Sequence, residues 1–201
     1  MTGLRVVVAG AAANIFPAHR RGLEAIEAQV IGVQDVNAAA AATVAGELGC
    51  PVLPTITDLL ELPADLAIIL APHPFHADIA VAALRAGRHV LTEKPMAVEV
   101  GEADRMLMEA ERASRLLMVA FQQRTRSEVR EARRLIQSGF LGRIQRADVL
   151  ASWPRRRSYF DVSPWRGTWR GEGGGILINQ GQHDIDLLCH LAGPPMRVFD
   201  Q

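Results

Sequence analysis

Cysteine is scarce in this chain of 201 residues. Cys50 and Cys189 lie far apart and form no metal-ligand spacing, which excludes a disulfide scaffold and a zinc finger. Net charge is missing too: 22 Lys+Arg balance 22 Asp+Glu. That balance argues against a polyanion-binding surface spread over the chain. No apolar run approaches the ~20 residues of a membrane span. Met1-Thr2-Gly3-Leu4-Arg5 leads straight into Val6-Val7-Val8 with no apolar signal core. The expectation is a globular, cytoplasmic protein with no nucleic-acid, membrane or metal partner. Lysine is the last scarcity. Of the 22 basic residues, 21 are Arg and one is Lys94. Arg cannot replace Lys where a compact, titratable ammonium is needed. Lys94 is therefore either a functional ammonium or a surface residue that escaped an Arg-rich composition.

What is present alternates strand and helix. Leu4–Ala9 is a short apolar run ended by Gly10 and reads as a buried strand. A helix is expected over Phe16–Ala28, a strand over Val30–Asp35, and an Ala-rich helix from an Asn37 cap to Gly49. Thr57 is read as the cap of a short turn through Leu62. Strands at Leu66–Leu70, His89–Leu91 and Leu116–Ala120 alternate with helices at Phe75–Ala86 and Val98–Ala113. Parallel strands joined by crossover helices give an α/β, Rossmann-type doubly wound sheet over residues 1–121.

The character changes at residues 122–201, read as the start of a second, α+β domain. A helix is expected at Ser127–Gln137, a long strand at Arg143–Trp153, a helix at Gln182–Leu191 and the start of a strand at Met196–Phe199. One strand and the first residues of another make no closed sheet. This domain is expected to be incomplete, poorly stable or associating through exposed edges.

Three segments carry chemistry. The first turn reads Gly10-Ala11-Ala12-Ala13-Asn14-Ile15. Against G-x-G-x-x-G, Gly10 keeps the first place, Ala12 takes the second and Ile15 the third. An ordinary tight βα turn reads the same way. Asp35, about 20 residues on, suits the adenosine ribose hydroxyls and favours NAD, with NADP the alternative. Glu93-Lys94-Pro95 follows a strand whose end faces the ligand crevice, where Lys94 can donate to a substrate hydroxyl. A charged surface turn is the alternative. In Gly173–Asp186, the residues Asn179, His183 and Asp186 stand at i, i+4 and i+7. A helix including Asn179 puts them on one face, with Ile185, Leu188 and Leu191 on another. His183 is a candidate general base, with a satisfied structural histidine the competing reading.

The chain resembles the Gfo/Idh/MocA oxidoreductases, named for glucose–fructose oxidoreductase and inositol dehydrogenase. Ala86–Pro95 is similar to the family's A-G-K-H-V-x-x-E-K-P, and Gly173–Asp186 to its G-G-G-x-L-x-D-x-G-x-H-x-x-D. Ala71-Pro72-His73-Pro74-Phe75-His76 resembles the A-T-P-N-x-x-H segment, and Trp165-Arg166-Gly167-Thr168 the loop before the glycines. Three departures stand out: the thin glycine fingerprint, Asn179 for Asp, and His73 for Asn. The resemblance implies hydride transfer between a nicotinamide cofactor and a hydroxyl carbon of a sugar, cyclitol or related alcohol. It implies Lys94, His183 and Asn179 as the catalytic set. It implies cofactor contacts from Gly10, Ala12, Asn14, Ile15, Asp35, Pro72, His76, Glu93 and Lys94. Tyr159, Trp165, Arg166 and Asp186 are the substrate candidates. A homo-oligomer is expected of the full-length protein. The alternatives are an NAD-dependent glycosidase-like enzyme of the same fold and a dinucleotide-binding regulator.

Overall fold

The computed structural model describes residues 3–161 and 165–199. Its first part runs β1 (Arg5–Ala9), α1 (Phe16–Ala25), β2 (Gln29–Gln34), α2 (Ala38–Leu48), α3 (Ile56–Glu61) and β3 (Leu66–Ile69). A 3-10 turn at His73–Phe75 leads into α4 (His76–Arg85), β4 (His89–Thr92), α5 (Val100–Ala113) and β5 (Leu117–Val119). The five strands pair in parallel in the order β2-β1-β3-β4-β5. The expected Rossmann-type sheet is therefore present.

Period-two alternation explains the two layers. Val7, Ala9, Ala67, Ile69 and Val90 face α3, α4 and α5, packing with Leu59, Leu84 and Met106. Val6, Val8, Val33 and Ile68 face the other way, onto Phe16 and Leu23 of α1 and Ala45 of α2. The chain leaves β1 toward β2 and returns across it to β3. That reversal opens a crevice at the carboxyl ends of β1 and β3, the usual ligand position in such sheets.

Local signals act as their chemistry dictates, with one shift. Asn37 Oδ1 accepts from Ala40 N at 3.1 Å, and Gly49 ends α2 with φ +67°. The cap of α3 is Thr55, not Thr57. Asp58 at the third helical position returns a bond to the Thr55 amide, and that reciprocal box selects the start two residues earlier.

A 3-10 turn at Gln122–Thr125 precedes α6 (Ser127–Gln137), which has the expected bounds. The strand expected at Arg143–Trp153 is absent. The segment makes no ladder, and Leu150 is fully exposed. An alternating pattern becomes a strand only beside a hydrogen-bonding neighbour, and the described residues supply none. Met196–Phe199 likewise forms no strand. Four helices follow α6: α7 (Arg157–Asp161), α8 (Trp169–Glu172), α9 (Ile176–Asn179) and α10 (Gln182–Ala192). The helix expected at Gln182–Leu191 is present as α10, but it does not extend back to Asn179, which ends α9 before Gln180-Gly181, so Asn179 does not share the face of His183 and Asp186. On α10 the buried residue is Asp186, while Ile185 is exposed. Among the described residues, no helix is long and apolar enough to cross a membrane.

Candidate functional site

At the crevice, Gly10 adopts φ +84°. A Cβ on it would lie 2.6 Å from Ala71 N and 2.7 Å from Leu70 C. The bare α-carbon is thus required by the close approach of the chain leaving β3, whatever else binds. Asp35 Oδ2 accepts from Ala12 N at 2.9 Å and Oδ1 from Asn37 N at 2.8 Å. The carboxylate braces the first turn from the end of β2. Each oxygen keeps a lone pair for a further donor. Asn14 and Ile15 are exposed at the start of α1, and no side chain caps that terminus. The first turn of α1 itself has few free amides: Phe16 N donates to the Ala13 carbonyl at 2.9 Å, Pro17 has no N–H, and Ala18 N donates to the Ile15 carbonyl at 3.0 Å.

Glu93 is tied to this turn. His19 Nε2, in the second turn of α1, donates to Glu93 Oε1 at 2.8 Å, with each side chain 14% exposed. The partner lies 74 residues away, and no local motif marks His19, so sequence reasoning missed it.

Two histidines of the Ala71–His76 segment, His73 and His76, are buried, while Phe75 is exposed. His73 Nδ1 donates to the Glu172 carbonyl at 3.0 Å. Its ring packs edge-on against Trp165 at 5.4 Å and against His76 at 5.8 Å. Burial pushes the His73 pKa down to about 4, so the ring is neutral near pH 7. Pro72 caps the 3-10 turn. His76 is fully buried, with Nδ1 2.7 Å from the Pro95 carbonyl and Nε2 2.7 Å from the Ala71 carbonyl. Burial lowers its pKa against the pull of both carbonyls. The ring ties this segment to the loop after β4, where the Lys94–Pro95 peptide is cis.

Lys94 sits at the meeting of the two parts. Its Nζ donates to the Asn179 carbonyl at 2.6 Å. Burial lowers its pKa, Glu93, Tyr159 and Glu172 oppose that, and Arg166 adds to it. The Asn179 side chain donates to Glu172 Oε1 at 2.5 Å. Glu172 is 6% exposed, and sequence reasoning passed over it although it directly precedes the triple glycine. An Asp at 179 would face that carboxylate with like charge; Asn donates to it instead.

Glycines allow this approach. A Cβ on Gly173 would meet Val98 Cγ1 at 2.4 Å, and one on Gly171 the Trp165 carbonyl oxygen at 2.2 Å. His183 follows on α10. Among the described residues its Nδ1, which is buried, has no hydrogen-bond partner, and its ring lies edge-on to Phe121 at 6.1 Å. Burial first, and then the Lys94 charge, lower its pKa. Asp186 is engaged on both oxygens by Arg124. Arg166 stacks over Tyr159 at 4.4 Å and Trp165 at 5.1 Å. Among the described residues, no three His, Cys, Asp or Glu side chains are grouped to hold a metal.

Residues 4–121 match the family profile described as oxidoreductase family, NAD-binding Rossmann fold, and residues 129–200 match the GFO/IDH/MocA C-terminal domain. The chain belongs to the GFO/IDH/MocA oxidoreductase family. Among similar family members is the glucose-6-phosphate 3-dehydrogenase of Bacillus subtilis. It is 31% identical over 189 residues, which cover 90% of this chain and 51% of that one. The inositol 2-dehydrogenase 3 of Saccharopolyspora erythraea is 34% identical over 117 residues, covering 57% of this chain and 35% of its own. The WlbA dehydrogenase from Chromobactrium violaceum, solved with NADH and UDP-GlcNAcA, superposes with a TM-score of 0.91 at 33% identity. That superposition covers 96% of this chain and 56% of the other. The chain spans about half the length, or less, of the curated relatives it matches.

Proposed function

We propose that this chain carries the NAD site and the catalytic pair of a dehydrogenase acting on a hydroxyl carbon of a sugar or polyol. The observation that carries the reading is the seat of the sole lysine. Lys94 is half-buried at the carboxyl end of β4, held by the Asn179 carbonyl, with the His183 ring within reach of its charge. The family relation supports the cofactor. So does the Asp35 carboxylate, whose spare lone pairs suit ribose hydroxyls and whose charge disfavours a 2′-phosphate. Gly10, Ala12, Asn14 and Ile15 would line the pyrophosphate, and Pro72 and Glu93 the nicotinamide side; His76, expected there too, is fully buried with both ring nitrogens on backbone carbonyls, so it positions the segment and does not touch the cofactor. We divide the chain between Phe121 and Gln122, a division supported by the two family matches lying on either side of it.

Bound NAD supplies the hydride acceptor. The protein's own task is the proton. An ammonium has three N–H donors, and Asn179 takes one from Lys94. The others can hold a substrate hydroxyl and stabilise negative charge developing on its oxygen. His183 is kept neutral by burial and by Lys94, which leaves its ring able to take the hydroxyl proton.

The test separates a neighbouring pair from two unrelated residues. Lys94→Met removes a charge that lowers the His183 pKa, so a ring-proton NMR titration should show that pKa rise. Lys94→Arg keeps the charge and should leave the titration near wild type, yet lower kcat by about 10²–10⁴-fold, as for loss of an acid–base group. An unmoved His183 titration in Lys94→Met, or wild-type turnover in Lys94→Arg, would remove the pair from the mechanism.

A further inference from the structure

His19 is the imidazole beside the site that the proposed chemistry leaves unused. Phe16, His19 and Leu23 stand at i, i+3 and i+7 of α1, the spacing of one helix face. Phe16 and Leu23 are buried on the sheet, so an apolar residue would suit the position between them. A histidine there must find a polar partner or lose the solvation of its ring nitrogens. The partner is Glu93 Oε1 at 2.8 Å, and both side chains are largely buried.

Glu93 depends on that contact in turn. Its backbone is already fixed: Glu93 N donates to the Ile69 carbonyl at 2.9 Å, which carries the pairing of β3 and β4 past Thr92. The side chain turns about three further bonds. One carboxylate oxygen takes the His19 bond, and the other accepts from Lys94 N at 3.3 Å. Among the described residues, His19 is the only side chain of another element that bonds this carboxylate. A carboxylate freed from its partner turns toward water, which solvates charge better than protein does.

The place of that carboxylate matters to Lys94. Burial drives the ammonium toward its neutral form, and Glu93 leads the charges that oppose this. Tyr159 of α7 and Glu172 of α8 act in the same sense, and Arg166 acts against them. His73 and His183 also face the ammonium, and each is held toward its neutral form by it. Only a charged Lys94 can stabilise negative charge developing on a substrate oxygen.

We infer that His19 is a positioning residue of the proposed reaction: from the second turn of α1 it holds the Glu93 carboxylate beside Lys94, and so keeps the sole ammonium charged where a substrate hydroxyl would meet it. The inference rests on the hydride-transfer reading and adds to it a residue that no motif marks. Because α1 follows the dinucleotide turn, the same contact ties the Lys94 turn to the cofactor side of the crevice.

The single lysine makes the test direct. In protein made with isotope-labelled lysine, the side-chain NMR signal belongs to Lys94 alone, and its pH titration reads that ammonium without cofactor or turnover. Glu93→Gln should lower the Lys94 pKa, because it removes the leading opposing charge. His19→Leu should lower it too, by at least half as much, although it removes no negative charge. His19→Gln, whose amide N–H can stand in for Nε2, should restore most of the wild-type titration. His19→Leu added to Glu93→Gln should change nothing further, since His19 acts through Glu93. A Lys94 titration unmoved or raised in His19→Leu, no recovery in His19→Gln, or additive shifts in the double variant would overturn the inference. His19 would then be a tie between helix and sheet, visible in stability alone. If His19→Leu does not fold, His19→Asn, whose amide stops short of Glu93, takes its place. Failure of the hydride-transfer reading has a different signature: the His19 dependence of the Lys94 titration would persist while NAD and NADH failed to bind in calorimetry.

Discussion

Gly10→Ala tests whether the first residue of the dinucleotide turn is needed for the fold itself. The added Cβ would sit 2.6 Å from Ala71 N, 2.7 Å from Leu70 C and 3.0 Å from Ala71 Cα. All three are backbone atoms, so no flexible side chain can yield. Positive φ costs a non-glycine residue about 1–2 kcal/mol. Forcing β1 and the chain after β3 apart adds about 1–3 kcal/mol, the usual cost of overpacking. Alanine restricts the unfolded chain, which returns about 0.4–1 kcal/mol. The net loss is about 2–4 kcal/mol, or a Tm lower by roughly 5–15 °C for a chain of this size. Gly49→Ala is the control. Gly49 has φ +67° with nothing within 4 Å of its Cβ position, so it carries the backbone term alone and should lose about 1 kcal/mol. Thermal and urea unfolding without cofactor measure both. A Gly10→Ala protein as stable as Gly49→Ala would refute the packing argument and return Gly10 to a role at the phosphates alone.

Asp35→Ala should weaken NAD by roughly 10- to 100-fold in calorimetric titration and NADP by less; NADP binding more tightly to wild type would reverse the assignment. His73, at about 4 against an ordinary 6.5, binds fewer protons folded than unfolded. Stability should therefore be full above pH 6.5 and fall by about 3 kcal/mol as pH drops toward 4. His73→Phe should flatten that slope in urea titrations. Arg124→Ala leaves the buried Asp186 carboxylate without its partner and should cost about 2–3 kcal/mol, the partner being half-exposed. Adding Asp186→Asn should recover part of it.

The first part of the fold was legible because its signals are local. Val6-Val7-Val8 is buried on both faces, and Asn37 and Gly49 end their helix by their own side chain and φ. Thr57 was misread for Thr55 because a threonine and an aspartate three apart define a cap only as a pair. Arg143–Trp153 has the alternation of a strand, but a ladder is a non-local property that no pattern supplies. The condition for Asn179 and His183 to share a face, a helix running through both, is not met for a readable reason: Gly181 stands between them, and the helix breaks there.

The contacts that assemble the candidate site were the illegible part. Lys94 meets Asn179 across 85 residues, His73 meets Glu172 across 99, and His19 meets Glu93 across 74. Each joins a residue near one strand end to a distant segment, so neither partner carries a local mark of the other. Motifs named Lys94, Asn179 and His183, but the contacts of Asn179 differ from those its motif suggested. Asn179 contributes its backbone carbonyl to Lys94 and its side chain to Glu172. The negative charge expected of an Asp at 179 is carried seven residues earlier, by Glu172. Moving that charge off the Lys94 partner leaves the ammonium held by a neutral carbonyl, with its remaining donors uncommitted. The Lys94 contact is to the backbone carbonyl of residue 179, which any side chain there would leave in place, and the asparagine side chain serves Glu172 instead.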